Sequence, residues 1–207
     1  MKKSILILIM TTMGFFSCKQ GNKSTPDYND KGIYTKYEYN ESNGARLIIQ
    51  NSLPKSKIHY TDPNGKKYVY AVFWTRITNE TINSFELKID FPIDSFEIPP
   101  SSGNYMKLLL PSDTMTLDKA SLSDYGLAIK SFLDTGIDKS NSLKRTVNPK
   151  ESTAFYVVTL STLGVGGTLH GTLRTGLSLK GQNLFYRIND KEIPCGSIDL
   201  TKLMLRK

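Results

Sequence analysis

Residues 67–91, KYVYAVFWTRITNETINSFELKIDF, decide how this chain is read. In the first half, Val69, Ala71, Phe73 and Ile77 alternate with Tyr68, Tyr70, Val72, Trp74 and Arg76. Successive side chains of a strand point to opposite faces, so both faces of this strand carry apolar or aromatic groups. In the second half, Phe85, Leu87, Ile89 and Phe91 alternate with Glu86, Lys88 and Asp90. That pattern predicts one buried and one wet face. Asn79-Glu80-Thr81 lies between the halves, and the two strands are expected to pair as an antiparallel hairpin.

The same signals extend outward. Ile33, Tyr37 and Tyr39 alternate with polar partners, Asn43-Gly44 turns the chain, and 46–50 follows as a strand. Asp62-Pro63-Asn64-Gly65 marks a turn after 57–61. Further strands are expected at 105–110, 143–147, 154–160, 173–179 and 184–188, with a loop at 92–104. Leu122, Tyr125, Ile129, Phe132 and Leu133 instead recur by threes and fours, which predicts one helix near 121–134. Ser121 or Ser123 would cap it, and Gly136 would end it. Two short apolar pieces, 198–200 and 203–205, finish the chain. Many short strands separated by turn signals indicate a mainly β, antiparallel sandwich or barrel with one inserted helix.

The N-terminus carries a different message. Lys2 and Lys3 precede an apolar stretch, and Phe15-Phe16-Ser17-Cys18 closes it. The stretch is shorter than the roughly 20 residues a membrane span needs. Positive start, apolar middle and small residue before the cut make an export signal. The layout resembles a bacterial lipoprotein signal, although Phe15 stands where that family most often has Leu. The resemblance implies a diacylglyceryl group on the Cys18 sulfur and cleavage before Cys18. An ordinary cleaved signal and an uncleaved apolar N-terminus are the plainer alternatives. Residues 1–17 would then be signal, 18–31 a lipidated cysteine with a polar tether, and 32–207 a single domain. The thirteen tether residues, 19–31, have an r.m.s. reach of about 20 Å. Lys19 follows the cysteine where Asp would resemble an inner-membrane retention mark. The resemblance therefore favours the outer membrane of the cell envelope.

Lipidation also alters the arithmetic of the mature chain. The formal charge of +8 includes Lys2 and Lys3; without them 25 basic residues face 19 acidic ones, a net +6. The basic residues are scattered, and export removes nucleic acid as an expected partner. Cys195, which sits between turn residues in Ile193-Pro194-Cys195-Gly196, is left without a disulfide partner and is expected to be a buried, inert thiol.

The long strand, the Asn-x-Thr turn, the alternating strand after it and Asn148-Pro149-Lys150-Glu151-Ser152 before Phe155 resemble bacterial immunoglobulin-like domains over 68–186. That resemblance implies an immunoglobulin-like sandwich and, by itself, no function. No reaction chemistry stands out. His59 and His170 lack metal-ligand spacing, so no metal is expected. Gly164-Val165-Gly166-Gly167 lacks the Gly-Lys-Ser/Thr end of a phosphate loop, and no cofactor is expected. There is no Gly-x-Ser-x-Gly elbow. His170, Thr172 and Arg174 share a strand face that reads more simply as solvated than as an anion site. Asp113-Thr114-Met115 resembles a bacterial O-glycosylation acceptor, which would place a glycan on Thr114. Tyr68, Tyr70, Trp74 and Arg76 form the most suggestive surface. They make either a platform for a sugar or protein partner, or a sheet face covered by the 121–134 helix, and the covered face is the simpler reading. The expected function is a lipid-anchored, non-enzymatic envelope module for a protein or glycan partner. The alternatives are an envelope hydrolase with a dispersed active site and a structural subunit of a larger envelope machine.

Overall fold

The computed structural model describes residues 32–40, 46–98, 103–137, 141–162 and 174–200. The strands in chain order are β1 (Ile33–Asn40), β2 (Arg46–Ser52), β3 (Lys55–Thr61), β4 (Lys67–Asn79), β5 (Phe85–Phe91), β6 (Phe96–Glu97) and β7 (Tyr105–Leu109). They continue as β8 (Asn141–Val147), β9 (Ser152–Ser161), β10 (Thr175–Lys180), β11 (Asn183–Ile188) and β12 (Lys191–Ile198). One helix, α1 (Ile129–Gly136), follows two 3₁₀ turns at Leu117–Ser121 and Ser123–Gly126.

Two antiparallel sheets result. One of them is curled into a half-barrel. The larger runs β1-β2-β4-β9-β7-β6, with β3 paired to the first half of β4 and β2 to the second. The smaller runs β10-β11-β12-β5-β8. A common core joins them: Ile49, Phe73, Ile77 and Val157 of the large sheet meet Leu87, Ile89, Leu177 and Tyr186 of the small one. A second core lies on the outer face of the large sheet. There Tyr70, Val72, Trp74 and Tyr156 pack under Tyr125, Ile129 and Leu133.

This arrangement explains the contrast within 67–91. The large sheet is covered on both sides, so β4 is buried almost continuously through its middle. The small sheet is covered on one side, so β5 alternates strictly between buried and exposed.

The expected hairpin between these strands does not form. β4 pairs with β2, β3 and β9, whereas β5 pairs with β12 and β8 in the other sheet. Residues 80–84 form an arch between sheets, and 148–151 form a second arch from β8 back to β9. Asn79 pins the two together. Its Nδ2 donates to Asn83 O and Val147 O, and its Oδ1 accepts from the Thr81 amide and hydroxyl. Its backbone exchanges bonds with Lys150 and Glu151. Asn79 is fully buried, and each of its side-chain polar atoms is paired, so the arch is fixed by bonds that buried polar groups require.

Two further expectations change. The helix is shorter than 121–134, because Asp124, Tyr125 and Gly126 all take left-handed φ of 47°, 56° and 66°. That break turns Leu122 out to solvent. α1 itself starts at Ile129, and neither Ser121 nor Ser123 caps it. Second, β12 runs through Pro194-Cys195-Gly196, a stretch that reads as a turn. Leu184 opposes Gly196 and Phe185 opposes Pro194, so Cys195 is the extra residue of a bulge. Gly196 has φ 142°, and a Cβ there would stand 1.9 Å from Lys88 O. Only glycine fits this approach of β12 to β5.

The free side of β10 is closed by side chains. Asn51 of β2 reaches Leu177, donating to its carbonyl (3.1 Å) and accepting from its amide (2.9 Å). Leu179 N donates to Tyr39 Oη at 2.8 Å. No helix among the described residues is long and apolar enough to cross a membrane.

Candidate functional site

The outer face of the large sheet is divided into a roofed part and an open part. Segment 111–137 forms the roof. It lies over Tyr70, Val72 and Trp74 of β4 and over their neighbours Leu160, Val158 and Tyr156 on β9. Trp74 keeps 3 % of its surface and Tyr70 7 %. These two therefore offer no ring face to a sugar or partner, and the four-residue platform does not exist as an open surface. Arg76 lies past the roof and donates to Ser152 Oγ at 3.3 Å. Tyr68, half-buried, is the member that reaches the open part.

The roof is clasped to the sheet by polar bonds at its margin. Tyr60 Oη donates to Asp134 Oδ1 (2.8 Å), and Tyr70 Oη donates to Asp124 Oδ2 (3.1 Å). Lys55 Nζ donates to Leu122 O and sits 4.6 Å above the Tyr125 ring. Burial, then the Asp134 carboxylate, pushes the Tyr60 hydroxyl well above the usual phenol range. Burial, then Asp124, pushes Tyr70 up to about 12. Both hydroxyls are therefore donors at neutral pH. The Lys130 ammonium, followed by the Tyr60 hydroxyl, holds Asp134 below the usual carboxylate range. Beside this margin Tyr70, Asp124, Lys130, Ser131 and Asp134 line a wide, shallow groove.

The open part is a cleft of about 250 Å³ where β4 begins and β9 ends. Leu160 and Tyr68 form its apolar base, and Tyr105 of β7 forms a wall with 45 % of its surface exposed. Lys66 and Lys107 bring two ammonium groups, and Ser95 and Thr162 bring hydroxyls. β7 pairs with β9 so that Lys107 lies opposite Leu160. Alternation then turns Tyr105 and Lys107 to the outer face while Met106 and Leu108 enter the core. Lys107 Nζ donates to Ile137 O at 3.3 Å, which ties it to the end of the roof. Lys66 Nζ stands 5.3 Å from the Tyr68 ring centroid, and the buried Tyr60 ring stacks on Tyr68 with centroids 6.2 Å apart. Among the described residues no carboxylate lines the cleft and none lies within ion-pair distance of the Lys66 ammonium, while the Lys66 amide donates to Asp62 Oδ1 at 2.8 Å.

Compared with known protein families, curated proteins and solved structures, the chain matches none.

The remaining candidates are dispersed. His59 is exposed on β3 and lines neither the cleft nor the groove. Among the described residues no three His, Cys, Asp or Glu side chains gather in one place. Thr114 is exposed and bridges Phe155 through its backbone, beside the buried Met115. Cys195 is buried, and burial pushes its thiol up to about 12. Cys18, His170, Thr172 and the 164–167 glycines lie outside the described residues. Sequence reasoning found Tyr68 but not Tyr105, Lys107, Lys66, Ser95 or Thr162. Four separated segments supply them, and the β7–β9 pairing that unites them has no local signal.

Proposed function

We propose that this chain is a lipid-anchored, non-enzymatic binding module of the bacterial cell envelope, facing a glycan or protein partner from the end of a tether. The observation that carries the reading is the order Lys2-Lys3, apolar stretch, Ser17-Cys18 and polar 19–31. Acyl chains on Cys18 would hold the protein, each buried CH₂ contributing about 0.8 kcal/mol. Lys19 after the cysteine supports the outer membrane as its address. On the domain side, the reading is supported by an open, mixed polar and aromatic cleft beside the roofed part of the large sheet. We further propose that the two packed sheets are an immunoglobulin-like sandwich. Paired arches at one end, joining β4 to β5 and β8 to β9, support that assignment. Thr114, exposed on the roof segment, is a proposed glycan acceptor.

Metabolic labelling with an alkyne fatty acid in a Gram-negative host, followed by density-gradient fractionation, tests the anchor. The wild-type chain should carry label and sediment with outer membranes. Cys18→Ala should lose both. Label that persists in Cys18→Ala would overturn the anchor assignment. Cross-linking in detergent extracts, with the anchor intact, tests the binding role. A chain recovered without any cross-linked glycan or protein would count against it.

A further inference from the structure

We propose that Leu53, Ile58 and Leu122 form a membrane-contact patch, through which the domain rests on the bilayer that holds Cys18. This rests on the lipid anchor proposed above and gives the anchored domain an orientation.

Exposure leads there first. Among the described residues the exposed large apolar side chains are Leu53, Ile58, Ile82, Ile93, Tyr105 and Leu122. Ile82, Ile93 and Tyr105 stand apart, on the β4–β5 arch, on the loop after β5 and in the cleft. The other three surround one turn, Ser123–Gly126. Tyr125 of that turn donates from its hydroxyl to Leu53 O (3.4 Å), and Lys55 Nζ donates to Leu122 O (2.9 Å). Ile58 lies opposite Tyr70, so the two share the outer face of the sheet, and Tyr70 Oη donates to Asp124 of the turn. None of the three lines the cleft or the groove, so they are not the wall of either cavity.

The turn presents the patch by a strained path. Asp124 and Tyr125 are left-handed, a conformation that a bulky side chain such as Tyr rarely adopts, and the break is what turns Leu122 outward. The buried Tyr125 ring under the Lys55 ammonium holds it there. The carboxylate of the turn is directed away from the patch: Asp124 Oδ2 accepts from Tyr70 Oη, and Oδ1 is enclosed. Apolar tips beside an ammonium and the exposed Ser121 and Ser123 suit the boundary between headgroups and acyl chains, which such groups enter by roughly 5–10 Å.

Position selects a lipid surface over other partners. Leu53 N donates to Gly32 O at 3.2 Å, so the patch adjoins the residue from which the chain runs back to Cys18. Residues 19–31 have an r.m.s. reach of about 20 Å, which keeps the patch beside the bilayer. Contact is then intramolecular, and three partly exposed side chains suffice where they would not hold a free protein on a membrane.

The test uses the acylated full chain reconstituted in phosphatidylcholine vesicles. With Cys18 acylated and Cys195 buried, one introduced cysteine can be labelled alone. Ser123→Cys, beside Leu122, and Thr146→Cys, exposed on β8 of the small sheet, each carry an environment-sensitive fluorophore. Emission at 123 should shift to the blue and be quenched by nitroxides carried on the lipid, while the label at 146 stays wet and unquenched. Both effects at 123 should persist in high salt, because the contact is apolar. Both should be lost in the double variant Leu53→Ser/Leu122→Ser, whose exposed positions leave the circular-dichroism spectrum unchanged. A wet, unquenched label at 123 in a chain that floats with the vesicles would overturn the patch and leave the anchor standing. A blue-shifted label that lipid nitroxides do not quench would overturn it in favour of cover by protein. If the chain does not float, the anchor reading falls and the patch falls with it.

Discussion

Every hydrogen-bonding position of the Asn51 amide is occupied. Nδ2 donates to Thr35 Oγ1 and Leu177 O, and Oδ1 accepts from Thr75 Oγ1 and Leu177 N. Gly176 makes room for it, since a Cβ there would lie 2.9 Å from Nδ2. Asn51→Leu leaves both Leu177 backbone groups and the Thr35 and Thr75 hydroxyls buried without this partner. An expected loss of about 3 kcal/mol follows, read as a fall in the urea midpoint. Cys195 makes a second residue-scale prediction. Its thiol has a usual value near 9 and is raised by burial to about 12 in the fold. Below pH 9 both states hold the proton. Between pH 9 and 12 the unfolded chain releases it first, so stability falls as pH rises. Tyr39, raised by burial to about 12, acts in the same direction from pH 10 upward. Cys195→Ala should flatten the first part of that alkaline decline in urea-denaturation curves.

At the scale of elements, the roof makes the clearest prediction. Trp74 is the chain's one tryptophan and lies under Tyr125, Ile129 and Leu133. Iodide should quench its fluorescence weakly. Ile129→Asp puts a charge into the roof's contact with the sheet and should increase the quenching while β-sheet circular dichroism persists. Strong quenching of the wild-type protein would contradict the covered face. The elements also show what a sequence carries. Strand positions were legible because β5 has one wet face, and because β4 is apolar on both faces. Their pairing was not, since alternation tells which face is buried and says nothing about which sheet supplies the neighbour. The Asn79 network that decides the arch joins residues distant in sequence, Val147 and Lys150 among them. The helix was overextended because Tyr125 fits the apolar stripe while its backbone is left-handed. β12 was missed because Pro194 and Gly196 signal a turn and here serve a bulge.

At the scale of the whole molecule, the large sheet is the shared wall of two cores. Phe73, Ile77 and Val157 face one, and Tyr70, Trp74 and Val158 face the other. Neither core can lose that wall alone. Trp74 fluorescence and far-ultraviolet circular dichroism should therefore report coincident urea transitions. A separate earlier fluorescence transition would show that the roof detaches as its own unit. The same wall explains why Tyr68 was found from sequence and its cleft was not. Tyr68 belongs to the most conspicuous strand, but Tyr105, Lys107 and Thr162 reach it through the outer end of the sheet.

The position of β1 also has a mechanical side. For a chain held by its N-terminus, traction reaches the domain at Gly32 and Ile33, on an outer strand of the large sheet. The Leu53 N to Gly32 O bond takes the load first, ahead of the β1–β2 ladder that starts at Ile33 and Ser52. Tyr39, near the opposite end of β1, is bonded to β10 through Leu179 N. For such a chain the pull would be passed to both sheets within the first strand, and the outer strand could not be stripped away without also tugging on its counterpart across the core.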